Sequence, residues 1–156
     1  MRLRNLTSAM PLVQWSNSVA LALVVFLLMA GCAGDVETAR VIRVIDGDTI
    51  VVEGGYHVRY IGIDAPEKDD PYYLEAKQFN EQLVMGKRVK MEKDVSDRDD
   101  FGRLLRYVYV NSVFVNAEMV RNGYALAKAY LPDTRYQKYL VEVENEAKQL
   151  HKGLWK

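Results

Sequence analysis

The residues able to do chemistry crowd into one stretch, Val41 to Glu67, which reads VIRVIDGDTIVVEGGYHVRYIGIDAPE. Asp46, Asp48 and Asp64 stand at the ends of apolar runs, Glu67 follows Pro66, and Arg59 lies inside the second run. Carboxylate oxygens with backbone carbonyls suit a hard cation such as Ca²⁺ or Mg²⁺ rather than zinc or copper. A planar guanidinium suits a pair of phosphate oxygens. The same residues admit a plainer reading. Asp-Gly-Asp between β-branched residues is a hairpin turn, because Asp and Gly tolerate positive φ. Asp-Ala-Pro-Glu is a loop exit, because proline does not continue a strand ladder. A later Gly-Arg pair, Gly102-Arg103, tips the balance towards a phosphate site.

Composition removes several alternatives. The single cysteine, Cys32, allows no intramolecular disulfide. His57 and His151 are far apart, without HxxxH or CxxC spacing, and read as surface residues. That argues against a zinc site and against a Ser-His-Asp triad. With Arg2 and Arg4 of the first 32 residues set aside, 19 basic side chains face 21 acidic ones. Such a domain does not cling to polyanions by bulk charge. A polyanionic ligand has to be met by local patches or through a bound cation.

The elements that must position these residues follow from periodicity. Residues 1–32 read as a targeting segment. Arg2 and Arg4 give a positive start, and the uncharged run VALALVVFLLMAG begins at Val19. It is shorter than the ~20 residues of a membrane span and suits a signal h-region. The positive start places the remainder outside the cytoplasm. Residues 33–39 form a linker. Val41–Ile45 and Thr49–Glu53 are strands flanking the Asp-Gly-Asp turn, and Tyr56–Ile63 is a third strand. Strict alternation puts Arg59 and Asp64 on opposite faces. The site therefore closes only if Gly62 makes a bulge.

Tyr72–Met85 has Tyr72, Ala76, Phe79 and Leu83 at helical spacing. Arg88–Lys93 is a half-exposed strand. Lys87, Arg88, Lys90 and Lys93 make either a phosphate track or a solvated face. Asp94–Gly102 is a charged loop that delivers Arg103 to the strand Leu104–Val110. Val113–Val115 is a short strand, and Asn116 caps a helix through Arg121. Tyr136–Lys152 is the last helix, with Tyr139, Val143 and Ala147 on one stripe and Trp155 anchoring the tail. Short antiparallel strands with early tight turns point to a small closed barrel with added helices, of the OB type.

Val44 to Thr49, Val58 to Glu67, Phe101-Gly102-Arg103 and Val115-Asn116-Ala117 together resemble the staphylococcal nuclease (thermonuclease) family. DGDT, then R-x-x-x-x-D-x-P-E, then G-R occur in one order across residues 40–156. The resemblance implies an α+β fold, a five-stranded OB-type barrel with about three helices. It implies a Ca²⁺-dependent phosphodiesterase acting on DNA and RNA. Asp48 and Asp64 would be the calcium carboxylates, with Ala65 adding its carbonyl. Glu67 would orient or deprotonate the attacking water, and Arg59 and Arg103 would hold the phosphate. Asp46 would lie near the metal without binding it. Where family members carry two tyrosines near the base, this chain has Lys128 and Tyr130. No protein partner is implied, and the chain is expected to be a monomer.

Leu28-Met29-Ala30-Gly31-Cys32 resembles the lipobox of bacterial lipoproteins. That implies cleavage before Cys32, a lipid on its sulfur and attachment to a membrane. Ordinary signal cleavage nearby, or an uncleaved anchor, would export the domain equally well. Two functions of other classes remain open at this stage: an OB-type nucleic-acid-binding barrel without catalysis, and a lipoprotein adaptor for a protein partner.

Overall fold

The computed structural model describes residues 36–156. The expected targeting segment, Cys32 and the first linker residues lie outside them. Residues 36–39, expected as linker, are the first half of a strand. β1 (Val36–Val44) serves two neighbours. Its residues 36–40 pair antiparallel with β5 (Arg88–Glu92). Its residues 41–44 pair antiparallel with β2 (Thr49–Val52). The register slips between Val41 and Arg43, so Ile42 is an extra residue that swings the strand from one partner to the other. A linker reading misses this because the ladder to β5 is made far away in sequence.

β3 (Tyr56–Tyr60) runs antiparallel to β2. β6 (Leu104–Val110) runs antiparallel to β5. The barrel closes where β3 meets β6 in parallel, with Val58, Arg59 and Tyr60 opposite Leu104, Leu105 and Arg106. Five strands, β1-β2-β3-β6-β5, therefore form the closed barrel of an OB-type fold. β7 (Val113–Phe114) extends β6 at one end. Ile50, Val52, Val58, Val89, Met91 and Val108 are among the side chains of its core.

Among the described residues three α-helices cover the barrel, which makes the fold α+β. α1 (Tyr73–Val84) buries Ala76, Asn80 and Val84, and its expected first residue, Tyr72, sits just outside it at φ 66°. α2 (Val115–Arg121) starts one residue before Asn116. Asn116 is thus not a cap. It is buried inside the first turn, where its side chain does other work. α3 (Gln137–Gln149) buries Leu140, Val143, Glu144 and Ala147. Tyr139, expected on that stripe, is 42% exposed. The buried face is centred one residue further on, where Leu140 removes its whole side chain from water, worth roughly 1.5–3 kcal/mol. After α3 the backbone is tied back to the end of α2, where the Leu154 amide donates to the Gly123 carbonyl at 2.9 Å. Trp155 lies under the Lys148 ammonium, 4.5 Å from the ring centre.

Candidate active site

Two tight turns pressed together build the site. In the first, the Asp48 amide donates to Asp46 Oδ1 at 3.0 Å, and the Ile45 amide donates to the Thr49 carbonyl at 2.9 Å. Gly47 between them is required for a reason other than the expected one. Its backbone is outside the left-handed region. A Cβ there would lie 2.6 Å from Ala65 Cβ and 3.1 Å from Ala76 Cβ. Close approach, not turn conformation, excludes a side chain. The turn thereby lies against Ala65, whose amide donates to Asp48 Oδ2 at 2.7 Å.

The second turn resolves the alternation problem. β3 stops at Tyr60 rather than running to Ile63. Ile61 and Gly62 form a turn, with Gly62 at φ 79°, and the chain resumes as β4 (Ile63–Asp64), paired with β8 (Leu126–Ala127). Gly62 is therefore a strand-ending turn and not a bulge in a continuous strand. Its neighbours hold it firmly. The Ile61 amide donates to the Arg106 carbonyl at 3.0 Å, and Asn116 Nδ2 donates to the Ile61 carbonyl at 2.9 Å. The Lys128 amide donates to the Gly62 carbonyl at 2.9 Å. Asp64 consequently returns to the face of Arg59. Arg59 Nη2 donates to Asp64 Oδ1 at 2.9 Å, and Nη1 lies against Asp48 Oδ2 as an ion pair. One guanidinium spans both carboxylates.

The electrostatics of this cluster favour added positive charge. Burial pushes the Asp48 carboxyl up from its ordinary value to about 7; Arg59 pulls it down and Asp46 adds to the rise. Hydrogen bonds from Ala65 and Thr49 also pull it down, that from Thr49 Oγ1 being 3.1 Å long. A buried carboxylate so raised is under-compensated. Asp64 takes two further contacts, from Lys128 Nζ at 2.8 Å and the Tyr130 hydroxyl at 3.3 Å. The hydrogen bond to Asp64, followed by Tyr130, raises the Lys128 ammonium above its ordinary range.

Arg103 arrives from the loop between β5 and β6. Asp99 is the centre of that loop, accepting from the Phe101 amide, the Arg103 amide and Arg103 Nε at 3.0, 3.0 and 2.7 Å. Burial alone would raise the Asp99 carboxyl, but these bonds hold it below the usual carboxylate range. Arg103, Arg59, Asp99, Phe101, Tyr130 and Leu131 line one cavity of about 450 Å³. Phe101 and Leu131 are 85% and 88% exposed. Asp133 ties this wall to the 94–103 loop by accepting from the Val95 and Ser96 amides at 2.9 and 2.8 Å.

The expected site residues therefore fall into three groups. Asp48, Arg59, Asp64, Ala65, Lys128 and Tyr130 are joined in one chain of pairwise contacts. Arg103 joins Arg59 and Tyr130 at the cavity. Glu67 is exposed on the loop after β4, its amide held by Asp70 Oδ2 at 3.1 Å, and its side chain enters none of the ion pairs of the site. Cys32 lies outside the described residues. Two members of the basic run are engaged locally. Lys87 Nζ donates to the Gln82 and Leu83 carbonyls at the end of α1, and Lys90 pairs with Glu92 at 2.7 Å.

Sequence reading overlooked the supports. Asn80 Nδ2 donates to the Asp46 carbonyl and its Oδ1 accepts from the buried Tyr60 hydroxyl, both at 2.9 Å. Asn116 Oδ1 accepts from the Val108 amide at 2.9 Å while its amide group holds Ile61. A polar residue on the apolar stripe of α1 was the available sign of the first. Thr49 and Asp99 carry no such sign.

The donor set fits a hard cation. Asp48 and Asp64 offer carboxylate oxygens within one guanidinium's span, Ala65 adjoins Asp48, and Asp48 is short of positive charge. Among the described residues no three His, Cys, Asp or Glu side chains form a ready metal cage, so the fit rests on the two carboxylates of Asp48 and Asp64. The chain is similar in sequence to known proteins. The chain is 35% identical to a thermonuclease of Staphylococcus hyicus over 76% of each chain. It is 36% identical to an uncharacterized endonuclease of Escherichia coli O157:H7 over 88% of each. It is 38% identical to the endonuclease YncB of Bacillus subtilis (strain 168) over 72% of this chain and 59% of that one. The profile of the staphylococcal nuclease homologues matches residues 57–156, which hold Arg59, Asp64 and Arg103. With the closed barrel and its paired turns, these matches make the chain a member of the staphylococcal nuclease family.

Proposed function

We propose that this chain is a calcium-dependent nuclease that hydrolyses phosphodiester bonds in DNA and RNA outside the cytoplasm. The observation that carries the reading is the convergence of Arg59 and Arg103 on one cavity, with Asp48 and Asp64 gathered on Arg59. Relatives named thermonuclease and endonuclease support it. The two guanidiniums hold the phosphate and take up charge as the five-coordinate state develops. Asp48, Asp64 and the Ala65 carbonyl would hold Ca²⁺, which when bound neutralises charge on the phosphoryl oxygens. Arg59 then exchanges its carboxylate partners for phosphate oxygens. Glu67, exposed and outside the ion pairs, is available to a water, and orients or deprotonates it. Tyr130 and Lys128 contact the substrate from the β8 side. Residues 1–32 direct export, and a lipid on Cys32 anchors the domain to a membrane.

The test is cleavage of single-stranded DNA by the purified full-length chain, with Ca²⁺ and with EDTA. Activity that needs Ca²⁺ and falls by roughly 10²–10⁴ in Glu67→Ser, with Ca²⁺ binding retained by titration calorimetry, upholds the reading. A folded protein inactive with every divalent ion would instead be a binding barrel. Cys32→Ser should release the protein from the membrane fraction; continued sedimentation with membranes would remove the lipid anchor from the proposal.

A further inference from the structure

Among the described residues the largest fully buried side chain is a charged one, Arg106, 1% exposed. It lies on β6 between Leu104 and Val108, on the row that faces the core. A guanidinium is costly to bury unless it is paired and hydrogen-bonded. Of the five acceptor contacts of Arg106, two come from Asp97 of the Arg103 loop, two from the Glu37 carboxylate and one from the Leu105 carbonyl. Nη1 donates to the Asp97 carbonyl at 3.0 Å and the Leu105 carbonyl at 2.8 Å. Nη2 donates to Asp97 Oδ1 at 2.7 Å and reaches Glu37 of β1 at 3.3 Å. Nε is buried without a partner.

Arg106 therefore grips Asp97 at both its carbonyl and its carboxylate. The Leu105 amide donates to the same carbonyl at 2.9 Å. Arg106 also holds the Asp97 carboxyl below its ordinary range. Two residues on is Asp99, which cradles the Arg103 amide and Nε. The contacts run from the core arginine to Asp97, along the backbone to Asp99, and from there to the phosphate arginine. No helix or strand stiffens residues 93–103; besides Arg106, the loop is held by an isolated bridge from Arg98 to Leu104, by Asp133 at the Val95 and Ser96 amides, and by Tyr107 and Arg135 at Asp94.

We propose that Arg106 is a positioning residue for Arg103, fixing from inside the barrel the loop that presents Arg103 to the cavity. The proposal rests on the nuclease reading for the role of Arg103, and the tests separate the two. Arg106→Met replaces the guanidinium with an apolar chain of similar reach. Asp97 and Glu37 have side chains 52% and 48% exposed, so neither is stranded in the core. Stability should hold, because the carboxylates left behind keep their contact with water and an apolar chain fills the place of the buried guanidinium. Turnover should not hold. A misplacement of about 1 Å at a phosphate-holding group costs on the order of 10- to 100-fold in kcat, with KM moving less. Arg106→Lys keeps the charge without the fork and should recover part of the loss.

The deciding measurements use the full chain. In an Arg103→Gly background, Arg106→Met should add no further loss to the residual rate. An undiminished effect there, or an unchanged kcat in the single variant, overturns the proposal. Amide hydrogen exchange is read in parallel. Arg106→Met should speed exchange across residues 97–103 and leave the rest of the barrel protected. Unchanged exchange in that loop overturns the clamp whatever the activity shows. If the wild-type chain cleaves nothing, the nuclease reading has failed, and the exchange result still decides the clamp. If Arg106→Met does not fold, Asp97→Asn carries the same measurements from the exposed end of the contact.

Discussion

Gly47→Ala tests whether the two site turns owe their arrangement to bare contact. The added methyl would stand 2.6 Å from Ala65 Cβ, where carbon atoms in contact sit about 3.5–4.0 Å apart. The turns must therefore separate by about 1 Å. Backbone strain adds nothing, since Gly47 is outside the left-handed region. Overpacking of this kind costs about 1–3 kcal/mol. Turnover should suffer more, because Asp48 and Ala65 are moved apart, and about 1 Å of misplacement is worth on the order of 10² in rate. Ala65→Gly removes the opposing methyl. Alone it should cost about 0.8 kcal/mol for the lost methyl, plus about 0.5–1 kcal/mol for the extra freedom of glycine. Combined with Gly47→Ala it should cost at least 1 kcal/mol less than the two separate losses together. The remaining 3.1 Å approach to Ala76 makes the rescue partial. Urea unfolding of the wild type, both singles and the double measures this directly. Additive losses, or a neutral Gly47→Ala, would refute the contact argument.

Asn116→Ala should strand the Val108 amide and the Ile61 carbonyl, at about 1–3 kcal/mol for each group left without a partner; a urea-measured loss below about 1 kcal/mol would mean the turn after β3 has other support. Asp99→Asn should remove a pH-dependent contribution to stability. Because the folded Asp99 carboxyl is held below its ordinary value, that contribution is complete above the unfolded value, about 3.9, and disappears as pH falls through the lower folded value. The gap in unfolding midpoint between wild type and Asp99→Asn should be wide at pH 6 and close under acid; a constant gap would show that its carboxylate charge contributes nothing.

Much of the barrel was legible because its signals are local. Period-two alternation in Tyr56–Tyr60 and Arg88–Glu92, and the β-branched run beside the Asp-Gly-Asp turn in Thr49–Val52, placed strands to within a few residues. The acid positions were legible because Asp48 and Asp64 sit at strand ends. Three things were hidden. The role of Gly47 depends on Ala65 and Ala76, which reach it only through tertiary packing. The first half of β1 depends on a ladder to β5, and nothing in Val36–Arg40 announces it. Arg106 occupies an inward position in an apolar strand, where periodicity alone gives a charged residue no place. Each of these is a long-range contact, and local pattern carries no information about which distant residue will arrive.

The parallel seam between β3 and β6 has a consequence for when the molecule becomes dangerous. Arg59 lies on one side of that seam, and Arg103 immediately precedes the strand on the other. Between them the chain must lay down β4, α1 and β5 before the two edges meet. Closing so long a loop is an entropic toll met late in folding. Until it closes, the two arginines belong to separate pieces of chain. A nuclease wired in this way is silent as a nascent or unfolded polypeptide and becomes active only on completing its barrel. Completing the barrel is then itself the step that brings the two arginines together.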